Sequence, residues 1–190
     1  RWSQIRQGWP NQPLRLYGAG ADSGTFDYFT EAIVGKAKAI RTDYQPTEDD
    51  NVTIKGVAGD TYAMGFLGYA YYEENKDKVK AVAIDHGKGC VLPSRETVLD
   101  GTYQPLSRPL FIYVNVKSLD RPEVQAFVDF YLSPAARRAI RSTGYVELPS
   151  EAYRIGQELV KRRKAGTFFM ELPAGTPLSK FIQELDKELR

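Results

Sequence analysis

Ala21-Asp22-Ser23-Gly24-Thr25-Phe26-Asp27-Tyr28-Phe29 decides how this chain is read. It follows a short alternating run, Leu14-Arg15-Leu16-Tyr17, and a small-residue turn, Gly18-Ala19-Gly20. After it, Phe26, Phe29 and Ile33 recur at i, i+3 and i+7, the spacing of one helix face. The local order is therefore strand, glycine turn, Ser-Gly-Thr, helix, with Gly35 as the helix stop. Such a helix start presents unpaired backbone N–H groups at the positive end of the dipole and adds two hydroxyls, which is what an oxyanion needs. The same residues also fit a plainer role, with Asp22 or Ser23 capping a helix and the glycines making a turn. The stretch alone leaves both readings open.

The 190 residues fit one large or two small domains, and the apolar and charged fractions are ordinary for a soluble globular chain. A net charge of +2 gives no support to nucleic acid as a partner. No apolar run approaches the ~20 residues that span a bilayer, and no signal peptide is visible. Arg1-Trp2-Ser3 reads as the start of a mature or truncated product. With Cys90 alone, no disulfide closes within the chain.

Beyond the opening stretch, strands alternate with helices early and helices dominate late. Trp2, Ile5 and Trp9 suggest a helix end closed by Gly8 and Pro10. Residues 52–57 are ambiguous: β-branched residues favour a strand, yet Asp50 or Asn51 could cap a helix. Residues 64–72 read as a buried strand running into a short helix, and 79–84 as a further strand. Residues 85–89 form a turn, and 93–98 start a short helix ended by Gly101. Leu110-Phe111-Ile112-Tyr113-Val114-Asn115-Val116 alternates and reads as a strand. Pro122 opens a helix carrying Val124, Phe127, Val128 and Tyr131. Pro134 opens another ending near Gly144, a third covers 150–164, and Pro177 opens the last. The expectation is an α/β fold with a mixed sheet and two lobes meeting near 107–110. There is no internal repeat.

Most other candidate chemistry is weak. His86 has no second histidine, and Cys90 lies in the same loop, so neither a metal site nor an activated thiol is indicated. Gly18-Ala19-Gly20 begins like a dinucleotide turn, but its third glycine is displaced to Gly24 and no P-loop lysine follows. No cofactor is implied. Glu48-Asp49-Asp50 lacks an EF-hand spacing and reads as a solvated, helix-capping turn. Lys161-Arg162-Arg163-Lys164 ends a helix, where cations suit the dipole. Arg41 stands apart. Asp43 lies two residues on, on the same side of an extended segment, and an arginine held by Asp43 suits bidentate recognition of a tetrahedral oxyanion. A surface salt bridge fits the spacing equally.

Taken together, Leu16-Tyr17-Gly18 and Asp22-Ser23-Gly24-Thr25-Phe26-Asp27-Tyr28-Phe29-Thr30-Glu31 resemble the phosphate-binding proteins of the bacterial high-affinity phosphate ABC transporter. Arg41-Thr42-Asp43-Tyr44, Glu48-Asp49-Asp50-Asn51-Val52, Gly56-Val57-Ala58-Gly59-Asp60, Gly68-Tyr69-Ala70-Tyr71-Tyr72 and Pro105-Leu106-Ser107-Arg108-Pro109-Leu110 resemble the subgroup found in cyanobacteria and many other bacteria. The resemblance weakens after about Gly166.

The resemblance implies a type II periplasmic binding fold of two α/β lobes, with phosphate in the cleft. It assigns residues 13–108 to a complete second lobe after a leading segment, 1–12. It assigns 109–190 to the C-terminal part of the first lobe, with a hinge strand over 106–114. It makes Ser23, Gly24, Thr25 and Arg41 phosphate ligands, with Asp43 orienting Arg41 and Asp22 and Asn51 lining the site or capping helices. Better-known members carry the arginine where this chain has Ala19, so Arg41 would be supplied from a later segment. The first-lobe ligands, including a carboxylate that accepts a phosphate proton, have no counterpart here. Weak or absent phosphate binding by these 190 residues alone is therefore expected, with an apolar face free for self-association. The function implied is non-catalytic capture of inorganic phosphate for the transporter's membrane subunits, in the periplasm or at the cell surface. The alternatives are a phosphate-ester hydrolase using Ser23 or Thr25, for which no base or metal is apparent, and an anion sensor on the same fold.

Overall fold

In the computed structural model, residues 1–166 and 172–190 are described. They divide into two compact units, Arg1–Val82 and Ala83–Arg190.

The first unit is built on three parallel strands, β1 (Arg15–Ala19), β2 (Gln45–Thr47) and β3 (Ala63–Phe66), in the order β2-β1-β3. Tyr17 lies opposite Gln45 on one side and Gly65 on the other, and Ala19 lies opposite Thr47. Parallel strands need crossovers. Helix α2 (Gly24–Val34) joins β1 to β2, and α3 (Asp50–Ala58) carries the chain past β1 to β3. The connection thus reverses direction across β1, which puts a topological switch point at the carboxyl ends of β1 and β3, where open α/β sheets bind ligands.

Glycines let these layers approach closely. A methyl group on Gly18 would come within 2.2 Å of the Phe66 ring, and one on Gly56 within 2.4 Å of the Tyr17 ring. Phe66 lies over β1 and stacks on Phe29 of α2, with centroids 4.1 Å apart. Phe26, Ile54 and Ala19 are buried beside the fully enclosed Thr30 and Thr53. Helix α2 thus turns Phe26, Phe29 and Thr30 inward, while Ile33, expected on the same face, is exposed. At its end Gly35 takes φ 78°, a left-handed conformation suited to glycine. The short α1 (Trp2–Ile5) is pinned by Trp2, whose Nε1 donates to the Tyr62 carbonyl at 3.0 Å. Helix α4 (Tyr69–Glu73) follows β3.

Several expectations are corrected here. Residues 52–57 are helical, because Asp49 caps α3 by accepting from the Asn51 N–H at 2.9 Å. β3 is only half-buried, with Met64 37% exposed. The strand expected over 79–84 is reduced to β4 (Ile84–Asp85), paired antiparallel with β5 (Cys90–Val91).

The second unit is mainly helical. After that hairpin come α5 (Arg95–Leu99), a 3-10 turn (Val116–Asp120), α6 (Pro122–Tyr131), α7 (Pro134–Ser142), α8 (Ser150–Lys161) and α9 (Leu178–Lys187). Its core gathers Leu119, Val128, Ala136, Tyr153 and the fully buried Ile155. Phe127, expected to face inward on α6, is 60% exposed. Helix α8 stops at Lys161, three residues before the expected end. Residues 110–116 alternate as a strand should, yet they pair with no strand among the described residues. Alternation sets which face is apolar; a ladder also needs a neighbour to accept its hydrogen bonds.

Buried Glu147 ties this unit together. It receives Nη2 of Arg95 on Oε1, Nε of Arg95 at 3.3 Å on Oε2, and Nη1 of Arg141 at 2.9 Å on Oε1. The two guanidiniums hold its carboxyl at about 2, far below the ordinary value. Arg162, Arg163 and Lys164 of the basic run are absorbed in ion pairs with Glu158, Asp120 and Glu188, consistent with a solvated face.

Candidate functional site

The glycine turn brings β1 directly into α2. Ser23 has extended backbone angles and caps the helix: its Oγ accepts the Thr25 N–H at 3.2 Å, and its carbonyl accepts the Asp27 N–H at 3.2 Å. The Gly24 and Phe26 amides, on either side of Thr25, have no intrahelical acceptor. Ser23, Gly24 and Thr25 therefore form one cluster of donors at the carboxyl end of the central strand. Asp27 sits in the same first turn, where a carboxylate suits the dipole, and its buried Oδ1 has no hydrogen-bond partner among the described residues.

The turn is braced by its neighbours. The Gly20 N–H donates to the Thr47 carbonyl at 3.0 Å, and the Ser23 N–H donates to the Gly20 carbonyl at 3.1 Å. The Tyr44 hydroxyl donates to the Ala19 carbonyl at 3.3 Å, and its ring stacks near Phe26. Burial, reinforced by the Glu48 charge, pushes the Tyr44 hydroxyl up, so it remains a donor. Thr30 anchors the helix from below, donating to the Phe26 carbonyl at 2.9 Å and accepting the Lys38 N–H at 2.8 Å.

Arg41 and Asp43 pair as expected. Nε of Arg41 donates to Oδ1 of Asp43, and Nη2 to Oδ2 at 2.6 Å. The bidentate pair lowers the Asp43 carboxyl and raises the Arg41 guanidinium, and both side chains are mostly exposed. The structure does not join this pair to α2: among the described residues, no hydrogen bond or ion pair links Arg41 to the Ser-Gly-Thr turn. The register explains the separation. Gln45 stands opposite Tyr17, so Arg41 precedes β2, whereas Ser23 follows the carboxyl end of β1. Asn51 is exposed, its amide donating to Asp49 Oδ1 at 3.1 Å. Asp22 is exposed and makes no cap; Ser23 does.

Sequence reasoning overlooked what lies beyond β2. Glu48 was read as part of a solvated turn. Its Oε1 instead accepts the Asp22 N–H at 3.4 Å and lies against Gly20. Asp50, half-buried, accepts the Gly68 N–H; burial raises its carboxyl and that bond holds it back. Two carboxylates therefore tie together the three loops at the carboxyl edge. The parallel register of Ala19 with Thr47 was the missing signal, and a single sequence does not display it. His86 and Cys90 are exposed, and no metal-holding cluster occurs among the described residues.

Comparison with known proteins matches the family described as PBP superfamily domain over residues 1–135. The chain is 50% identical to Protein SphX of Synechocystis sp. over 95% of its own length and 55% of that protein's. It is 46% identical to Protein SphX of Synechococcus elongatus, over 88% and 50%, and 35% identical to the phosphate-binding protein PstS of Staphylococcus haemolyticus, over 80% and 48%. It thus spans about half the length of the curated relatives it matches. The crystal structure of a possible phosphate binding protein from Planctomyces limnophilus superposes with a TM-score of 0.71 at 44% identity, covering 87% of this chain and 59% of that one. No described helix is long and apolar enough to cross a membrane. With its parallel sheet and its helix-terminal turn set in the same frame, the chain belongs to the PBP superfamily domain family, on a mixed α/β fold.

Proposed function

We propose that this protein captures inorganic phosphate outside the cytoplasmic membrane and delivers it to the membrane subunits of an ABC transporter, with no catalysis. The observation that carries this reading is the start of α2. Ser23 caps the helix through its own oxygen, and the Gly24 and Phe26 amides remain without intrahelical acceptors at the carboxyl edge of the sheet. A desolvated oxyanion needs many donors at once. Ser23, Gly24 and Thr25 would supply amide and hydroxyl donors, and Arg41, with Nε and Nη2 already on Asp43, would be the cation of the site. The names of the SphX and PstS relatives support phosphate as the anion. Residues 13–108 would form one lobe and 109–190 part of the other. The exposed apolar side chains of residues 110–113 support a covering partner in the natural-length protein, or self-association.

Competition calorimetry on the natural-length protein tests this. Phosphate should bind without turnover and outcompete sulfate, and Arg41→Ala should weaken binding at least about tenfold, the usual scale of a lost charge-assisted contact. A protein that fails to bind phosphate, or that prefers sulfate, overturns the phosphate reading. Normal binding by Arg41→Ala removes Arg41 from the site.

A further inference from the structure

We propose that Glu48 is an internal competitor at the anion site: its carboxylate holds the β1–α2 turn while the site is empty and cedes the Asp22 amide to the arriving anion. This rests on the phosphate reading above. Three observations carry it. The Glu48 Oε1 accepts the Asp22 N–H at 3.4 Å, one residue before the Ser23 cap. The carboxylate also lies directly on the bare Cα of Gly20: a Cβ there would stand 1.9 Å from Oε1 and 2.7 Å from Cδ, so the absence of a side chain makes its room. Finally, β2 delivers Glu48 to this edge by register, since Thr47 pairs with Ala19 and its carbonyl takes the Gly20 N–H.

The charges around Glu48 explain why it seeks that amide. Asp22, Asp49 and Asp50 are its acidic neighbours, and the Tyr44 hydroxyl, held neutral by burial, adds no charge. Among the described residues no lysine, arginine or histidine pairs with it. Its one hydrogen bond comes from the Asp22 turn amide, one residue before the Ser23 cap and next to the donors an external oxyanion would use. In the empty site the carboxylate therefore acts as a tethered ligand of low affinity. A dianion held beside that charge, even with water-like screening over several ångström, meets repulsion equal to roughly a tenfold change in affinity.

The test has two arms on the natural-length protein. In the ligand-free protein, the Asp22 amide proton is followed by NMR as pH falls through the carboxylate range. A shift that largely disappears in Glu48→Gln supports the contact; the same shift in both proteins overturns it, whether or not phosphate binds. In calorimetry, Glu48→Gln keeps the shape and an acceptor oxygen but loses the charge, and should bind phosphate about tenfold tighter. Unchanged or weaker binding overturns competition. If neither protein binds phosphate, the phosphate reading and the competition both fail, while the NMR arm still decides whether Glu48 braces the turn.

Discussion

Removing the charge from Glu147 should destabilise the second unit in a way that depends on pH. The carboxylate is 9% exposed and takes three hydrogen bonds from Arg95 and Arg141. Its pKa falls from 4.5 to about 2. At 1.36 kcal/mol per pKa unit this caps the contribution at about 3 kcal/mol. Both guanidiniums are about half exposed, and solvent screening there reduces the figure to about 1.5–2 kcal/mol. For a chain of this size that is about 3–8 °C in Tm. The folded-state value lies below the ordinary one, so the contribution is complete above about pH 4.5 and decays as pH falls toward about 2. Thermal melts followed by circular dichroism near pH 7 and near pH 2.5 read this out. Glu147→Gln should lose about 3–8 °C at the higher pH and much less at the lower. A variant that melts with the wild type near pH 7, or whose deficit is the same at both, refutes the assignment of that stability to the ionised cluster.

Three further substitutions test the frame around the helix start, each by denaturant titration of the folded protein. Gly18→Ala drives a methyl group into the Phe66 ring, which is stacked on Phe29, so a loss of about 1–3 kcal/mol is expected. Gly20→Ala meets only the mobile end of Glu48; it should cost less than about 1 kcal/mol while breaking the Asp22 contact seen by NMR. Thr30→Val leaves the part-buried Lys38 N–H without its acceptor and should cost about 0.5–1.5 kcal/mol.

What the sequence disclosed and what it withheld divide along one line. The strand–turn–helix around Ser23 was legible because every signal in it is local: alternation in 14–17, a capping serine, Gly35 at the stop. The four helices opened by Pro122, Pro134, Ser150 and Pro177 were legible for the same reason. Residues 110–116 alternate as cleanly as any strand, yet stand without a ladder among the described residues, because pairing is a property of two segments. The helix over Asp50–Ala58 turned on which polar residue caps it, and Asp49, not Asp50 or Asn51, holds that position. The site behaves likewise. Ser23, Gly24 and Thr25 came together because they are consecutive, and Arg41 found Asp43 because they are two apart. Whether Arg41 or Glu48 reaches the turn depends on the register of β1 with β2, which no local pattern encodes.

That register changes the electrostatics of the site. Thr47 opposite Ala19 places the residue after β2 beside the start of α2, and that residue is an acid. The arginine lies upstream of β2, with Nε and Nη2 of its guanidinium held on Asp43. Within the first unit, then, the helix start faces a carboxylate and offers an incoming anion backbone and hydroxyl donors. Such donors are fixed by the fold and need no side chain to reorganise, which favours orientation and selectivity over long-range attraction. Salt dependence separates the two arrangements. A site governed by a free arginine loses affinity as salt screens the attraction, whereas a site that must displace Glu48 gains relief from screened repulsion, so its affinity should fall less with added chloride in the wild type than in Glu48→Gln.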